Sequence, residues 1–447
     1  MELHKEVVRL QLRKKFLKFV LPSIASMWAF SLYTMVDGVF VARGVGETAM
    51  SAVNLSAPFT SLVFMVGILL ATGTSTVISV ALGRGEVEEA RNYFNQNLAV
   101  TVCVSLVLAA LVLLNLERAA LFLGATPDTL DYVKEYVGTI AVFAVFFTVS
   151  YNLEVQVKAN GAPQVSTVGV ASCALMNVAL DALFVMGFGW GVWGAALATG
   201  LAQVTSTSVF FGYFLTHRER LRLGRFRRDL GAYRRIVPLG LSEGLNELSN
   251  GLVIFLFNHT ILRFIGEQAL PAYTIISYVN TLVLMTMTGT ARGMQPLVSF
   301  SLGAGRRRDC HRLLGYGLAA AALFAALSFA LGELGAPLIV GAFLERSSAI
   351  FVYSVSALRL YAWSFLAVGF NVIFAAFFTA VERPGPAFAI SLSRSLVLLA
   401  LSLLTMAVLF GDRGIWLSTL VSELGCLGIT AVCAAAYFRR RDWKEES

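Results

Sequence analysis

Charge is what this sequence has least of. Only 14% of its 447 residues are Asp, Glu, Lys or Arg, whereas 57% are hydrophobic, and the mean hydropathy is +0.73. A soluble domain spends about a quarter of its residues on charge, so this chain cannot coat a water-facing surface of its size. Histidine is scarce, with four copies, and the five cysteines (Cys103, Cys173, Cys310, Cys426, Cys433) are scattered. They show neither metal-ligand spacing nor a disulfide framework, and most read as small apolar residues within apolar runs. No His-Glu-x-x-His and no Walker-type Gly-x-x-x-x-Gly-Lys occurs, so neither zinc-protease chemistry nor ATP-driven pumping is expected. The chain is read as a non-enzyme without a cofactor.

Positive charge is present but confined. The net charge is +8, and Lys and Arg concentrate in loops and tails between apolar runs, as the positive-inside bias requires. No zinc-finger or ribonucleoprotein motif accompanies them, so nucleic acid is not an expected partner. The expected surroundings are membrane lipid.

What the sequence does have is a succession of apolar runs long enough to cross about 30 Å of hydrocarbon. They fall near 16–42, 53–81, 94–114, 132–157, 164–189, 191–215, 236–261, 271–302, 313–343, 351–379, 386–411 and 414–438. The expectation is an all-α polytopic membrane protein of about twelve transmembrane helices in two pseudo-symmetric six-helix bundles. The first run is read as a retained helix rather than a leader, since no small-residue cleavage site follows it. Basic clusters at the N-terminal arm, 217–235, 305–312 and 439–444 place both termini in the cytoplasm. The expected location is the cytoplasmic (inner) membrane.

The chain repeats itself. "VGETAMSA" (45–52) matches "IGEQALPA" (265–272) at a shift of 220, and "LGRGE" (82–86) falls on "LGAGR" (302–306) at the same shift. Pro163 aligns with Pro384, and Gly191–Val192–Trp193 with Gly414–Ile415–Trp416. The copies start after an even number of spans, which makes them parallel repeats. The expected organisation is an N-terminal lobe 1–215, a basic cytoplasmic linker 216–235, a C-terminal lobe 236–438 and a tail 439–447. Paired bundles of this kind are read as an alternating-access carrier rather than a pore or receptor.

An ionisable group inside a lipid-spanning segment costs on the order of 2.5–3.5 kcal/mol even on the lenient insertion scale. Asp37, in "YTMVDGVFVARG", is such a group. It could snorkel to the outer interface or pair with Arg43. Alternatively it has partners: Asn177 and Asp181 are four apart on one helix face, and Thr199 sits in a run of small residues that allows close helix approach. Carboxylate, amide and hydroxyl oxygens without a fixed positive charge suit a shared proton or a small hard cation. Substrate-cleft candidates are Tyr33, Met35, Tyr151, Glu154, Gln156, Glu243, Glu247, Tyr278 and Met285. Glu154 has a competing assignment as the ion-pair partner of Lys158 one turn on. Arg292 and Arg394 are expected to neutralise Glu243, Glu247 or Glu423 between helices.

The stretches "MVDGVFVARGVGETAMSAVNLSAPF" (35–59), "ALGRGEVEEAR" (81–91), "KANGAPQVSTVGVASCALMNVALDALFVMGFGWGVWGAALATGLAQ" (158–203) and "MQPLVSFSLGAGRRRD" (294–309) resemble the multidrug and toxic compound extrusion (MATE) transporters. The likeness runs through essentially the whole chain. It implies two six-helix lobes, a central cleft, and export of organic, cationic or amphipathic small molecules against inward H⁺ or Na⁺. It also implies a cation-sensitive carboxylate network at Asp37, Asn177, Asp181 and Thr199. A monomer is expected. The second lobe departs from the family pattern: the acidic place early in its first helix falls at Asn246, between Glu243 and Glu247, and 351–379 contains no acidic residue. A flippase or exporter of a lipid-linked or polar metabolite is the other transport reading.

Overall fold

The computed structural model describes residues 2–217, 220–348 and 350–439, and these contain helices and no strand. The helices are α1 Glu2–Gly44, α2 Glu47–Arg84, α3 Val87–Leu114, α4 Leu116–Phe122, α5 Leu130–Ala159, α6 Pro163–Asp181, α7 Gly191–Thr216 and α8 Tyr233–Phe264. They continue as α9 Leu270–Gly303, α10 Arg307–Leu334, α11 Ala336–Gly341, α12 Phe351–Ala362, α13 Phe365–Ala380, α14 Pro384–Leu392 and α15 Leu398–Phe438. Two π-helical turns, Ala182–Gly187 after α6 and Ser393–Val397 after α14, widen the backbone locally. The tail from 440 onward lies outside the described residues.

Each expected span falls on helix. Among the described residues, eight helices are long and apolar enough to cross a membrane, or nine if α12 and α13, bent by 42° at their junction, form one span. One of the eight, 384–438, has 55 residues. At 1.5 Å per residue that is roughly 80 Å, too long for one crossing. It breaks at Gly411, whose φ of 57° and ψ of −132° interrupt α15. Only glycine holds that conformation without strain, so α15 is the end of one pass and the whole of the next.

The chain resolves into two compact units. One comprises Leu21–Leu248 and Ser299–Gly305, the other Met1–Val20, Ser249–Val298 and Arg306–Ser447. In the first, α2, α3, α5 and α7 bury Phe94, Phe147, Leu153 and Phe210. Small residues at the seams bring backbones together, the usual means of helix association in lipid. A Cβ on Gly83 would stand 2.2 Å from the Phe300 carbonyl oxygen, and one on its repeat partner Gly303 would stand 2.0 Å from that of Val80. Gly240 of α8 is equally close to α2, 1.8 Å from the Leu69 oxygen. Gly240–Gly244 spells Gly-x-Ser-x-Gly, yet it lies in continuous helix with no strand-to-helix elbow to expose Ser242.

The same unit holds the basic segment before α8. Asn95 of α3 donates to the Arg222 carbonyl (2.9 Å) and accepts from the Gly224 amide (2.8 Å). Gln96 makes the same pair of bonds with the backbone of Asp229, at 2.8 and 3.0 Å. Asn and Gln side chains thus satisfy an extended backbone that has no strand beside it. The second unit buries Phe365, Phe377, Phe378 and Trp416. There Gly293 of α9 lies 2.7 Å, at Cβ distance, from Val20 Cα.

Candidate functional site

Within the first unit, α1, α6 and α7 bring Asp37, Asn177, Asp181 and Thr199 into one cluster. The Asp37 carboxylate lies in hydrogen-bonding reach of Asp181, Asn177 and Thr199. Asn177 Nδ2 donates to Thr199 Oγ1 at 3.3 Å, and that hydroxyl donates back to the Ala195 carbonyl at 3.0 Å. Two local features permit the meeting. Gly44 has no Cβ to strike Val185 Cγ1, which would be 2.4 Å away, so α1 closes on the π-helical turn that begins after Asp181. Gly194, Ala195, Ala196 and Ala198 are buried and give α7 a low profile.

Electrostatically the cluster is a set of acceptors short of donors. Asn177 and Asp181 are 0% exposed. Among the described residues no donor completes a well-formed hydrogen bond to Asp37 Oδ1, Asn177 Oδ1 or either carboxylate oxygen of Asp181, although the Asn177 amide stands beside both carboxylates. Buried polar atoms are normally satisfied, and two adjacent carboxylates cannot both ionise cheaply. A proton or a hard, oxygen-seeking cation would meet all four atoms at once. The alternative partner Arg43 has a side chain outside the described residues. Sequence reasoning did not single out Tyr136 of α5, which is buried close enough to feel both carboxylates. In the sequence it follows Lys134 and Glu135 at the start of a span, where a tyrosine reads as an interfacial residue.

The cleft candidates divide. Tyr33, Tyr151 and Glu154 line a cavity of about 30 Å³ with Phe30, Gln203 and Ser206, room for little more than water. Glu154 is also the partner of Lys158, Nζ to Oε1 at 2.7 Å, and accepts from Ser166 at 2.9 Å. That network reaches α1: Ser166 lies 3.4 Å from Ser26, and Thr167 donates to the Pro22 carbonyl at 2.9 Å. Gln156 is turned away, donating to the Ala71 carbonyl at 3.3 Å. Met35, Glu243 and Glu247 are half-buried and do not line this cavity. In the second unit Tyr278 is exposed and stacks on Phe343, while Met285 lines a separate cavity of about 240 Å³. Arg394 pairs with Glu423, Nη1 to Oε1 at 3.5 Å, which answers one of the interhelical pairings expected from the sequence.

A helical membrane protein whose sequence repeats, with ionisable groups buried among its helices, has the build of a membrane carrier. The family model for MatE matches residues 22–183 and 245–404, well over half the chain and one match in each repeat. The chain belongs to the MatE family of multi-pass membrane transporters. It is 23% identical over 417 residues to the multidrug export protein MepA of Staphylococcus aureus (strain bovine RF122 / ET3-1), covering 92% of this chain and 91% of the relative. Among solved structures it is similar to an outward-facing multidrug resistance MATE transporter of the MOP superfamily, with a TM-score of 0.90, 20% identity and coverage of 95% and 96%. It is similar too, with a TM-score of 0.88, 20% identity and the same coverage, to a MOP superfamily transporter from Pyrococcus furiosus described as having a binding pocket of reverse polarity. At such identities the likeness is one of fold.

Proposed function

We propose that this protein is a secondary antiporter of the cytoplasmic membrane that exports organic, cationic or amphipathic compounds in exchange for H⁺ or Na⁺. The observation that carries the proposal is the group of four donorless oxygens on Asp37, Asn177 and Asp181, all inside one unit. The relative named a multidrug export protein supports the substrate class. In this reading the coupling cation binds among those oxygens and removes the repulsion between the carboxylates. The helix segment bearing Asp37 then repacks toward Pro22, where Thr167 and Ser26 already hold the carbonyl, and affinity for the exported compound falls. A cation drives the change only through its differential affinity for the two states, so a donorless cluster in one state must be relieved in the other. The protein works as a monomer, with both termini in the cytoplasm.

The test is transport of a fluorescent organic cation by Asp37→Asn protein in proteoliposomes under an imposed H⁺ or Na⁺ gradient. The amide cannot exchange a cation, so gradient-dependent export should collapse while the protein stays folded. Export by the variant with unchanged gradient dependence would remove Asp37 from the coupling site. Comparing the two gradients in the native protein identifies the ion.

A further inference from the structure

The second unit contains a cavity of about 240 Å³ that the cation-exchange reading does not use. Its polar wall is formed by Asn250 of α8, Asn280 of α9, Tyr361 of α12, Arg394 of the π-helical turn, and Thr419 and Glu423 of α15. Glu423 is secured from behind: Asn371 Nδ2 donates to its Oε2 at 2.7 Å, and Thr430 donates to Asn371 Oδ1 at 2.8 Å. Arg394 is held loosely. Among the described residues its ion pair is the single one from Nη1 to Glu423 Oε1 at 3.5 Å, and its side chain is 16% exposed where that of Glu423 is 5%. A guanidinium that served only to neutralise a buried carboxylate would be expected to close on it with two short parallel bonds. This one carries five donors, cannot give up its charge, and borders open volume. It also stands on a π-helical turn, a distortion found often at functional sites.

We infer that this cavity is a ligand site for a small organic acid, whose carboxylate binds Arg394 in front of Glu423. Phe257, Tyr361 and Met285 supply the apolar wall for its ring. A volume of about 240 Å³ has room for a single-ring acid. The Asn and Thr side chains on the rim can donate to the second carboxylate oxygen. A purely cationic guest would face Arg394 and is disfavoured.

Isothermal titration of the purified full-length protein with benzoate, benzamide and benzylamine tests the assignment without any ion gradient, independently of the exchange reading. Benzoate should bind saturably, and the neutral and cationic analogues of the same shape should bind far more weakly. Arg394→Gln should weaken benzoate roughly 10- to 100-fold, the range for losing hydrogen bonds to a charged group, and Arg394→Lys should recover part of it. If Arg394→Gln fails to fold because Glu423 is left unpaired, the double variant Arg394→Gln/Glu423→Gln removes both charges and should fold without binding benzoate. Three results each overturn the assignment: no saturable benzoate binding, benzamide matching benzoate, or undiminished benzoate affinity in whichever Gln variant folds.

Discussion

Replacing Asp181 by Asn should make the protein more stable and less able to transport. The side chain is 0% exposed and neither oxygen has a donor among the described residues. A buried polar atom left unsatisfied costs about 1–3 kcal/mol, and more when charged. The Asn amide is the same size as the carboxylate, so no cavity forms. Its two N–H groups can reach the donorless oxygens of Asp37 and Asn177, and the repulsion with Asp37 disappears. Together these changes predict a gain of about 1–3 kcal/mol. Thermal or denaturant unfolding of the purified protein in detergent reads this out. Titrating the coupling cation adds a second readout, because a ligand at 100 times its Kd stabilises the native state by about 2.7 kcal/mol. Native protein should show that rise with either added Na⁺ or acidification, and the variant should show little of it. A variant less stable than native by 1 kcal/mol or more, or one equally responsive to the cation, would refute the account of a donor-starved cluster.

The other predictions concern buried contacts elsewhere in the first unit. Glu154→Gln or Lys158→Met alone leaves one buried charge unpaired and should cost about 3–5 kcal/mol, while the double variant should come back close to native stability; a double-mutant cycle of unfolding midpoints checks this. Asn95→Ala removes both bonds to the 222–224 backbone, at about 1–3 kcal/mol for the buried groups left unpaired. The Arg-rich segment from 220 to 228 should then be cut faster by trypsin, as gel analysis over time would show. Gly240→Ala would place a Cβ 1.8 Å from the Leu69 oxygen. The backbones must separate, at a cost of about 1–3 kcal/mol or more, and the yield of monodisperse protein on size exclusion should fall accordingly.

Helices were legible because lipid leaves the backbone no alternative: a run of apolar residues must satisfy its amides internally. Even the break in α15 had a signal, since it falls on Gly411, the first glycine of the Gly411–Gly414 turn. The pairing of Asn177 with Asp181 followed from spacing, and Thr199 from the low profile of its neighbours. The π-helical turn after Asp181 did not, because one extra residue per turn leaves no mark in composition. Nor did the tight docking of 220–232, whose bonds run from Asn and Gln side chains to backbone and so depend on no residue type in the docked segment. Gln156 donates to the Ala71 carbonyl and does not line the small cavity beside Tyr33, a placement its spacing alone does not show.

The two repeats agree in backbone contacts and disagree in charge. Gly83 and Gly303 occupy corresponding places, and each lets a neighbouring carbonyl oxygen come within 2.2 Å of where a Cβ would be. That requirement is geometric, so a duplicated fold keeps it in both copies. Buried charge follows a different rule, because each ionisable group in lipid must be compensated by whatever lies beside it. In the first unit two carboxylates meet, and among the described residues no donor satisfies four of the cluster's oxygens. In the second, Glu423 has Arg394 and Asn371 beside it, and its charge is answered inside the protein. Under the proposed exchange the first arrangement leaves work for a mobile cation. The second already holds a fixed cation, whose guanidinium has donors beyond the one facing Glu423.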